Sequence, residues 1–259
     1  MTDTTDFRLR PPAGFRLTVV GGCGGIGRRL VAVALASGLK VAIVDLPQSI
    51  AAHPPPAGCS VHPADAADSR QVEAAFGALA NVWGALDGFV NLCGFSPARQ
   101  PLETLDLATW QEAIAGNLNA AFLTSKFALP LLQRGVTPAM VQVASSLAVK
   151  ASPGYGPYGA AKAGILALMR VLAAENAPGI RSNAVAPSAV RTEFITGGTG
   201  RSAYPDAPLL DLEAYGQALP LGRIAEPDDV VGPILFLLGP GSRYMTGQVL
   251  HVNGGLFQP

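Results

Sequence analysis

A tyrosine and a lysine stand four positions apart in the segment Tyr158-Gly-Ala-Ala-Lys162. On a helix, side chains with this spacing project from the same face. A free tyrosine has a pKa near 10, so it acts as a base near pH 7 only if that pKa falls by roughly 3 units, or about 4 kcal/mol. An ammonium about 4 Å away supplies about 4 kcal/mol at an effective dielectric of about 20. The pair therefore predicts proton transfer by Tyr158 with a pKa lowered by Lys162, although a packed tyrosine beside a surface lysine has the same spacing.

A glycine-rich turn lies between an apolar segment at residues 15–20 and a helix-forming segment at residues 28–37, which Gly38 is expected to end. Strand, glycine turn and helix are the context of a dinucleotide-binding fingerprint. Glycines let the backbone approach a pyrophosphate, and the helix N-terminus supplies N–H groups. The cofactor contacts predicted at this turn are Gly21, Cys23, Gly24, Gly25, Ile26 and Gly27.

An acid ends the next predicted strand, residues 40–45. Asp45 stands about 20 residues beyond the glycine turn, where a carboxylate accepts hydrogen bonds from the adenosine ribose and repels a 2′-phosphate. Position 46 is Leu and position 24 is Gly, so neither offers a cation to such a phosphate. The sequence favours NAD over NADP, with Asp45 and Leu46 at the ribose; a simple turn or cap acid is the other interpretation of Asp45.

Over nearly its whole length the chain resembles the short-chain dehydrogenase/reductase family. The glycine turn is similar to the TGxxxGxG motif of that family, with Val20 in place of the threonine that braces the loop. Asp65 matches the acid beside the adenine ring. Residues 91–94 resemble the NNAG motif, with Leu92 and Cys93 as its two departures. The resemblance implies one α/β domain with a Rossmann-type, doubly wound, parallel seven-stranded sheet.

The catalytic tetrad of the family has four counterparts, Asn117, Ser145, Tyr158 and Lys162. The resemblance implies that Asn117 holds a water in a proton relay, and the Asn-Leu-x-x-x-Phe pattern favours it over Asn119. Ser145 lies 13 residues before Tyr158, which is the family spacing, and would hydrogen-bond the substrate oxygen. Ser146 is the alternative and is expected to be structural.

The resemblance extends the predicted cofactor site beyond the glycine turn. The usual Pro-Gly after the sixth strand is Pro187-Ser188 here, and Val190 and Thr192 match positions that hold the nicotinamide carboxamide. Lys162 would also contact the nicotinamide ribose. The remaining positions assigned to the cofactor are Asp65, Ala66, Asn91, Cys93, Gly94, Tyr158, Lys162, Pro187, Val190 and Thr192.

A long, weakly periodic stretch at residues 193–219 is a candidate substrate lid, although a flexible surface loop has the same pattern. The family resemblance favours a lid that orders over cofactor and substrate. Candidate walls of the substrate pocket are Phe95, Leu147, Tyr155 and Phe194. Lys150 stands in the loop between Ser145 and Tyr158, where a cation would suit a carboxylate or phosphate, and a solvated lysine is the simpler interpretation.

These residues predict an oxidoreductase that transfers hydride between NAD(H) and a secondary alcohol or ketone. Tyr158 would act as acid or base and Ser145 would stabilise the reacting oxygen. One alternative is a 3-ketoacyl-type reductase that uses NADPH, and another is a non-catalytic dinucleotide-binding sensor or scaffold. No metal site is expected, because His53, His62 and His251 lack ligand spacing.

Composition limits the remaining classes. The chain has 259 residues, 14% charged and 49% hydrophobic, with a formal net charge of zero, which disfavours a nucleic-acid surface. No apolar run approaches about 18 residues, so no membrane span is expected. Residues 1–14 are expected to be a flexible leader without a secretory signal, and 15–259 the catalytic domain. Three cysteines in a chain without such a signal are expected to be reduced, which suits a cytoplasmic protein.

Two segments near the end of the chain bear on its expected oligomeric state. Residues 220–230 and 246–255 resemble the terminal helix and seventh strand of the family, which build two-fold contacts. The resemblance implies a homotetramer.

Overall fold

The structure, a computed structural model, describes residues 9–196, 201 and 211–258. Its strands are β1 (Arg16–Val20), β2 (Lys40–Asp45), β3 (Ser60–Pro63), β4 (Gly88–Asn91), β5 (Ala139–Val143), β6 (Arg181–Pro187) and β7 (Val249–Val252). They form one sheet in the order β3-β2-β1-β4-β5-β6-β7, and every neighbouring pair is parallel. The predicted doubly wound seven-stranded sheet is therefore confirmed, and strand order reverses between β1 and β4.

Helices cover both faces of the sheet. They are α1 (Gly25–Ala36), α2 (Pro47–Ala52), α3 (Ser69–Trp83), α4 (Leu107–Ile114), α5 (Ala120–Leu132), α6 (Gly156–Asn176), α7 (Leu212–Gln217) and α8 (Pro227–Leu238). One core packs α1 and α8 against strand residues such as Leu17 and Ile43. A second packs α3, α5 and α6 against Val20, Phe89 and Met140, and a smaller third cluster packs α6 against the end of β6. Because successive strand residues face opposite layers, both faces need apolar side chains, which explains the near-continuous hydrophobic strands.

Helix ends follow the local signals in the sequence. Asp68 accepts hydrogen bonds from the N–H groups of Arg70 and Gln71 at the start of α3. Asp106 accepts one from the N–H of Thr109 at the start of α4. Gly38, just beyond α1, has a φ of 78°, a left-handed conformation that glycine adopts at little cost. These caps set where each helix begins or ends relative to the sheet edge that carries the site.

The predicted leader at residues 1–14 lies partly outside the described residues. Its described part packs on the fold. The N–H of Gly14 donates to the carbonyl of Gly38 at 2.8 Å, and Pro11 is buried. The backbone of Leu9 and Arg10 passes so close to Gly239 that a side chain at 239 would collide with it. Residues 9–14 thus pack against the folded domain.

None of the helices in the described part of the chain combines the length and the apolar character needed to cross a membrane.

Candidate active site

A cavity of about 470 Å³ opens at the carboxyl ends of the strands, where strand order reverses. In open α/β sheets ligands bind at this switch point, and the volume suits a small molecule. The cavity wall includes most of the residues predicted for the site: Gly21, Gly24, Gly25, Ile26, Gly27, Asp45, Leu46, Asp65, Ala66, Cys93, Gly94, Ser145, Tyr158, Lys162, Pro187, Val190 and Thr192. It does not include Cys23, Asn91 or Asn117, whose places are described below.

The glycine turn places the start of α1 at the cavity wall, where the side chains of Thr192 and Glu193 lie against Gly25. Gly24 is the N-cap and provides no side-chain hydrogen bond, so the first N–H groups of α1 are available to an anion. A Cβ on Gly27 would collide with the carbonyl of Gly21, and one on Gly25 would lie 2.5 Å from Cβ of Thr192. Gly21 has a φ of 81° and packs against the backbone of Cys93. The turn therefore offers N–H groups that suit a pyrophosphate.

Asp45 braces the glycine turn and also lines the cavity, and the sequence indicated only the second of these placements. Its carboxylate accepts hydrogen bonds from the N–H of Cys23 at 2.7 Å and the N–H of Leu46 at 2.8 Å. The first of these braces the glycine turn, at a position where Val20 cannot supply a hydroxyl. Burial raises the pKa of Asp45, and these N–H donors oppose that rise. The carboxylate also faces the cavity, so it fits a ribose contact.

Cys23 and Asn91, both predicted as cofactor contacts, are buried behind the cavity wall and hold neighbouring residues of that wall in place. Cys23 is 1% exposed, and burial raises the pKa of its thiol to about 12, which makes it unreactive. The Asn91 amide donates to Gln142 at 3.0 Å and accepts from the N–H of Cys93 at 3.1 Å. Gln142 in turn donates to Ser125 at 2.8 Å. Asn91 thus joins β4, β5 and α5 and fixes the strand end from which Cys93 and Gly94 reach the cavity.

Ser145, Tyr158 and Lys162 meet where β5 ends beside α6. Tyr158 is 6% exposed and hydrogen-bonds Ser145. Lys162 lies one turn further along α6, with Nζ 5.6 Å from the centroid of the Tyr158 ring, and donates to the carbonyl of Val143 at 3.1 Å. Burial lowers the pKa of Lys162 to about 8. The predicted pairing of tyrosine and lysine on one helix face is present.

The pKa of Tyr158 shifts in the opposite direction to the one predicted from the sequence. Burial raises it above the usual value near 10, and the hydrogen bond with Ser145 only partly opposes that rise. The reason is geometric: the phenol has lost its water, while the Lys162 ammonium is directed at the carbonyl of Val143. Among the protein's own groups, desolvation therefore outweighs the lysine charge.

Asn117 is held by an irregular helical turn. A π-helical segment, Ala115–Asn119, joins α4 to α5, and such turns often occur at functional sites. The Asn117 amide donates to the carbonyls of Phe95 and Ala113, both at 2.9 Å. Its Oδ1 is buried and has no hydrogen-bond partner among the described residues. Asn119, the alternative, is exposed, so the π-helical turn directs Asn117 rather than Asn119 inward.

One point at the cavity wall lies close to both Asn117 and Lys162. A Cβ built on Gly94 would collide with Asn117 Oδ1 and lie 3.1 Å from Lys162 Nζ. Gly94 has a φ of 145°, which disfavours any side chain there. An acceptor, Asn117 Oδ1, and a donor, Lys162 Nζ, therefore both lie beside Gly94, close enough for one water between them to bond both, which is the arrangement that a proton relay needs.

The substrate end of the cavity is largely aromatic. The rings of Tyr158 and Phe194 are 5.9 Å apart at 50°. All four predicted walls, Phe95, Leu147, Tyr155 and Phe194, line the cavity. Sequence reasoning missed Tyr215 and Leu256, which also line it. Both are brought in by long-range packing, and no local pattern marks them.

Two ion pairs tie the predicted lid to the cavity wall. Arg28 of α1 bonds Glu193 at 2.5 Å, and Arg201 bonds Asp65 in the cavity wall. Within the stretch at residues 193–219, the described parts are the helical turn Glu193–Thr196, Arg201 and residues 211–219. The rest of the predicted lid lies outside the described residues. The sequence did not indicate either ion pair, because each joins residues more than a hundred positions apart.

Across residues 9–196, 201 and 211–258, no three histidine, cysteine, aspartate or glutamate side chains come together as a metal site.

Comparison with known proteins finds sequences that are similar to this chain over most of its length. A family model described as enoyl-(acyl carrier protein) reductase matches residues 21–257. A short-chain type dehydrogenase/reductase of Sinorhizobium fredii is 33% identical over 92% of this chain, which spans only 43% of that relative's length. The 2,5-dichloro-2,5-cyclohexadiene-1,4-diol dehydrogenase of Sphingobium indicum is 31% identical over 94% of this chain and 97% of that relative.

A solved structure is similar over the same extent. The crystal structure of 3-ketoacyl-(acyl-carrier-protein) reductase from Brucella melitensis, complexed with NADH, superimposes with a TM-score of 0.83. It is 25% identical and covers 94% of this chain and 98% of that chain.

Proposed function

Because the chain belongs to the short-chain dehydrogenase/reductase family of oxidoreductases, we propose that it interconverts a secondary alcohol and its ketone with NAD. The observation that carries this proposal is the buried contact of Ser145 with Tyr158, one helical turn from Lys162. A nicotinamide cofactor supplies the hydride chemistry, and the protein supplies position, electrostatics and a proton path.

Tyr158 is the acid/base. In alcohol oxidation its phenolate oxygen takes the hydroxyl proton, and in ketone reduction its hydroxyl returns that proton to the carbonyl oxygen. Ser145 hydrogen-bonds the same substrate oxygen and stabilises the charge that develops there. Because burial raises the pKa of Tyr158, the phenolate needs a further positive charge beside it, and an oxidised nicotinamide is such a charge.

Lys162 and Asn117 form the path by which the proton leaves. A water at the Gly94 surface would bridge Lys162 Nζ and the unpartnered Asn117 Oδ1. With the Asn117 amide anchored on two carbonyls, Oδ1 is kept available for that water. The assignment thus accounts for a buried acceptor that would otherwise be costly to leave without a bond.

NAD is the proposed cofactor, and it would be held by the glycine turn, Asp45 and the nicotinamide end. A side chain at Gly25 would collide with Thr192 and one at Gly27 with the backbone of Gly21, so glycine keeps the turn tight, and the first N–H groups of α1 suit a pyrophosphate. Asp45 accepts hydrogen bonds from the N–H groups of Cys23 and Leu46 and from the side chains of Cys23 and Ser49, and its carboxylate lines the cavity, where ribose hydroxyls would join or replace these donors. Its negative charge at the same place repels a 2′-phosphate, which supports NAD over NADP.

The proposed substrate is a cyclic or aromatic secondary alcohol. The aromatic walls at Tyr155, Phe194 and Tyr215 support this class, since flat rings pack well against them. The named relative that acts on a cyclohexadienediol agrees with it. A 3-ketoacyl reductase that uses NADPH remains the alternative; the Brucella structure supports the acyl substrate, while Asp45 counts against NADPH.

The remaining proposals concern the whole molecule. We place the domain at residues 15–259 and the lid at 193–219, and propose a cytoplasmic homotetramer. Light scattering that finds only monomer would contradict the tetramer.

The test of the function follows absorbance at 340 nm with NAD⁺ or NADP⁺ and a panel of secondary alcohols at alkaline pH. We expect turnover with NAD⁺. Turnover only with NADP⁺ would overturn the cofactor assignment. Tight NADH binding without oxidation or reduction of any alcohol or ketone would favour the sensor interpretation.

A further inference from the structure

Two cations stand at the substrate end of the cavity wall, Arg99 on the loop after β4 and Lys150 on the loop after β5. In the described part of the chain, neither has a carboxylate within salt-bridge distance. Both side chains are exposed, so they face the solution from which a substrate enters. An unpaired cation on an exposed surface is ordinary, whereas two on adjoining loops of one cavity make that part of the wall positively charged.

The other charges of the cavity wall are already matched. Asp65 pairs with Arg201, and Glu193 pairs with Arg28. Asp45 is held by two backbone N–H groups. Lys162 belongs to the reaction centre. The described wall therefore keeps its carboxylates at the adenosine and pyrophosphate end, and the substrate end has an excess of positive charge.

Arg99 is held in place before any ligand arrives. Its guanidinium carbon lies 5.1 Å from the centroid of the Tyr155 ring, a cation–π contact, and Nη2 donates to the carbonyl of Pro153 at 3.4 Å. The two loops are joined by a hydrogen bond from the N–H of Gln100 to the carbonyl of Gly154 at 3.2 Å. Packing of this kind reduces the side-chain entropy that binding would otherwise cost.

The position of Tyr155 connects this cation to the reaction centre. Tyr155 is the N-cap of α6, three residues before Tyr158, and is half-buried in the same wall. Arg99 lies over its ring, and Phe194 and Tyr215 line the same cavity. A ring-shaped substrate with its hydroxyl at Tyr158 would thus extend toward Arg99.

We propose that the substrate carries a carboxylate at the end opposite its hydroxyl, and that Arg99, assisted by Lys150, binds it. A guanidinium fork matches a planar carboxylate with two parallel hydrogen bonds. The inference rests on the proposed dehydrogenase function and narrows its substrate to a hydroxy acid or keto acid with a ring between the two groups.

The test compares 4-(1-hydroxyethyl)benzoate with its methyl ester, which differ in charge and share the secondary alcohol. In the wild type we expect kcat/KM with NAD⁺ to be at least tenfold higher for the acid, mainly through KM. Added salt should raise KM for the acid more than for the ester, because the anion contact is partly exposed. Arg99→Gln should bring the ratio of acid to ester close to one, and Arg99→Glu should invert it.

Matched variants separate a charge effect from a general one. Lys150→Gln should reduce the ratio by a few-fold, whereas Arg134→Gln, on an exposed arginine outside the cavity, should leave it unchanged. The keto acid, 4-acetylbenzoate, and its ester are also titrated into the protein–NADH complex, so that preference is measured by binding as well as by turnover.

The outcomes for the two proposals are distinct. A wild-type ratio of one or less, in turnover and in binding, would overturn the carboxylate site even if the ester is a good substrate. A ratio that survives Arg99→Gln would overturn the role of Arg99. Absence of turnover with both compounds, combined with tight binding of the keto acid over its ester, would support the carboxylate site and count against the dehydrogenase function.

Discussion

Replacing Lys162 with methionine separates what the buried ammonium does for catalysis from what it costs the fold. Lys162 is 4% exposed, and burial lowers its pKa from 10.5 to about 8. A shift of this size corresponds to about 3 kcal/mol of destabilisation when the lysine is charged. Methionine has a similar length and no charge, and it gives up the hydrogen bond to Val143, which contributes about 1 kcal/mol. We therefore expect the variant to be more stable by about 2 kcal/mol at pH 7, or roughly 4–8 °C in Tm.

The effect has a definite pH dependence. Because the pKa of Lys162 is lower in the folded state, the unfolded chain binds more protons in the window between about pH 8 and 10.5. Wild-type stability therefore gains from this group as pH rises through that window, while below pH 8 the full cost is present. The variant lacks the group, so its advantage should be largest at pH 7 and should shrink toward pH 10.

Urea unfolding followed by circular dichroism, repeated from pH 7 to pH 10, measures this difference. Lys40→Met, at an exposed lysine on β2, is the matched control and should change stability by less than about 0.5 kcal/mol. Lys162→Met should meanwhile lose catalytic activity. A variant that is less stable than the wild type at pH 7, or a difference that does not vary with pH, would refute the assignment of Lys162 as a charge held at the expense of stability.

Three further predictions concern the tyrosine, the cofactor and the lid. The tyrosinate absorbance that Tyr158→Phe removes should titrate above pH 10 in the free protein, because burial raises the pKa of Tyr158. Bound NAD⁺ should move this titration to lower pH. A titration of Tyr158 near pH 7 without NAD⁺ would contradict the raised pKa. Asp45→Asn should raise the ratio of NADP⁺ to NAD⁺ affinity by about 100-fold, since repulsion between two charges about 5 Å apart is worth about 3 kcal/mol at a dielectric of about 20. A fluorescence titration that finds the same ratio in the variant would exclude a role of Asp45 in selecting NAD over NADP. Glu193→Gln should tighten NADH binding by a few-fold in the same titration. Glu193 Oε2 would lie 3.1 Å from a Cβ on Gly25, so its negative charge stands where the pyrophosphate is expected and repels it. Weaker NADH binding by the variant would argue against that repulsion.

The fold and the centre of the site could be predicted from the sequence because their signals are local. Tyr158 and Lys162 share a helix face by spacing alone, and Asp45 ends a strand whose apolar run is visible. Capping by Asp68 and Asp106 follows the same logic, since a short polar side chain before an amphipathic segment marks a helix start.

The parts that could not be predicted depend on contacts between distant residues. Arg201 meets Asp65, and Leu256 reaches the cavity, only through the tertiary fold. The π-helical turn at Asn117 has no sequence signature in a continuous helical pattern. The pKa of Tyr158 was predicted in the wrong direction because spacing indicates that Lys162 is near, while burial, which the spacing does not reveal, decides the sign.

The central claim is that Tyr158 exchanges the proton in a hydride-transfer reaction. The most direct measurement is the single-turnover rate of NAD⁺ reduction by the best alcohol in the wild type and in Tyr158→Phe, with NADH affinity measured by fluorescence in both. We predict a loss of at least about 100-fold in rate, as expected for a general base, with NADH affinity nearly unchanged. A variant that binds NADH equally well and turns over at the wild-type rate would contradict the account.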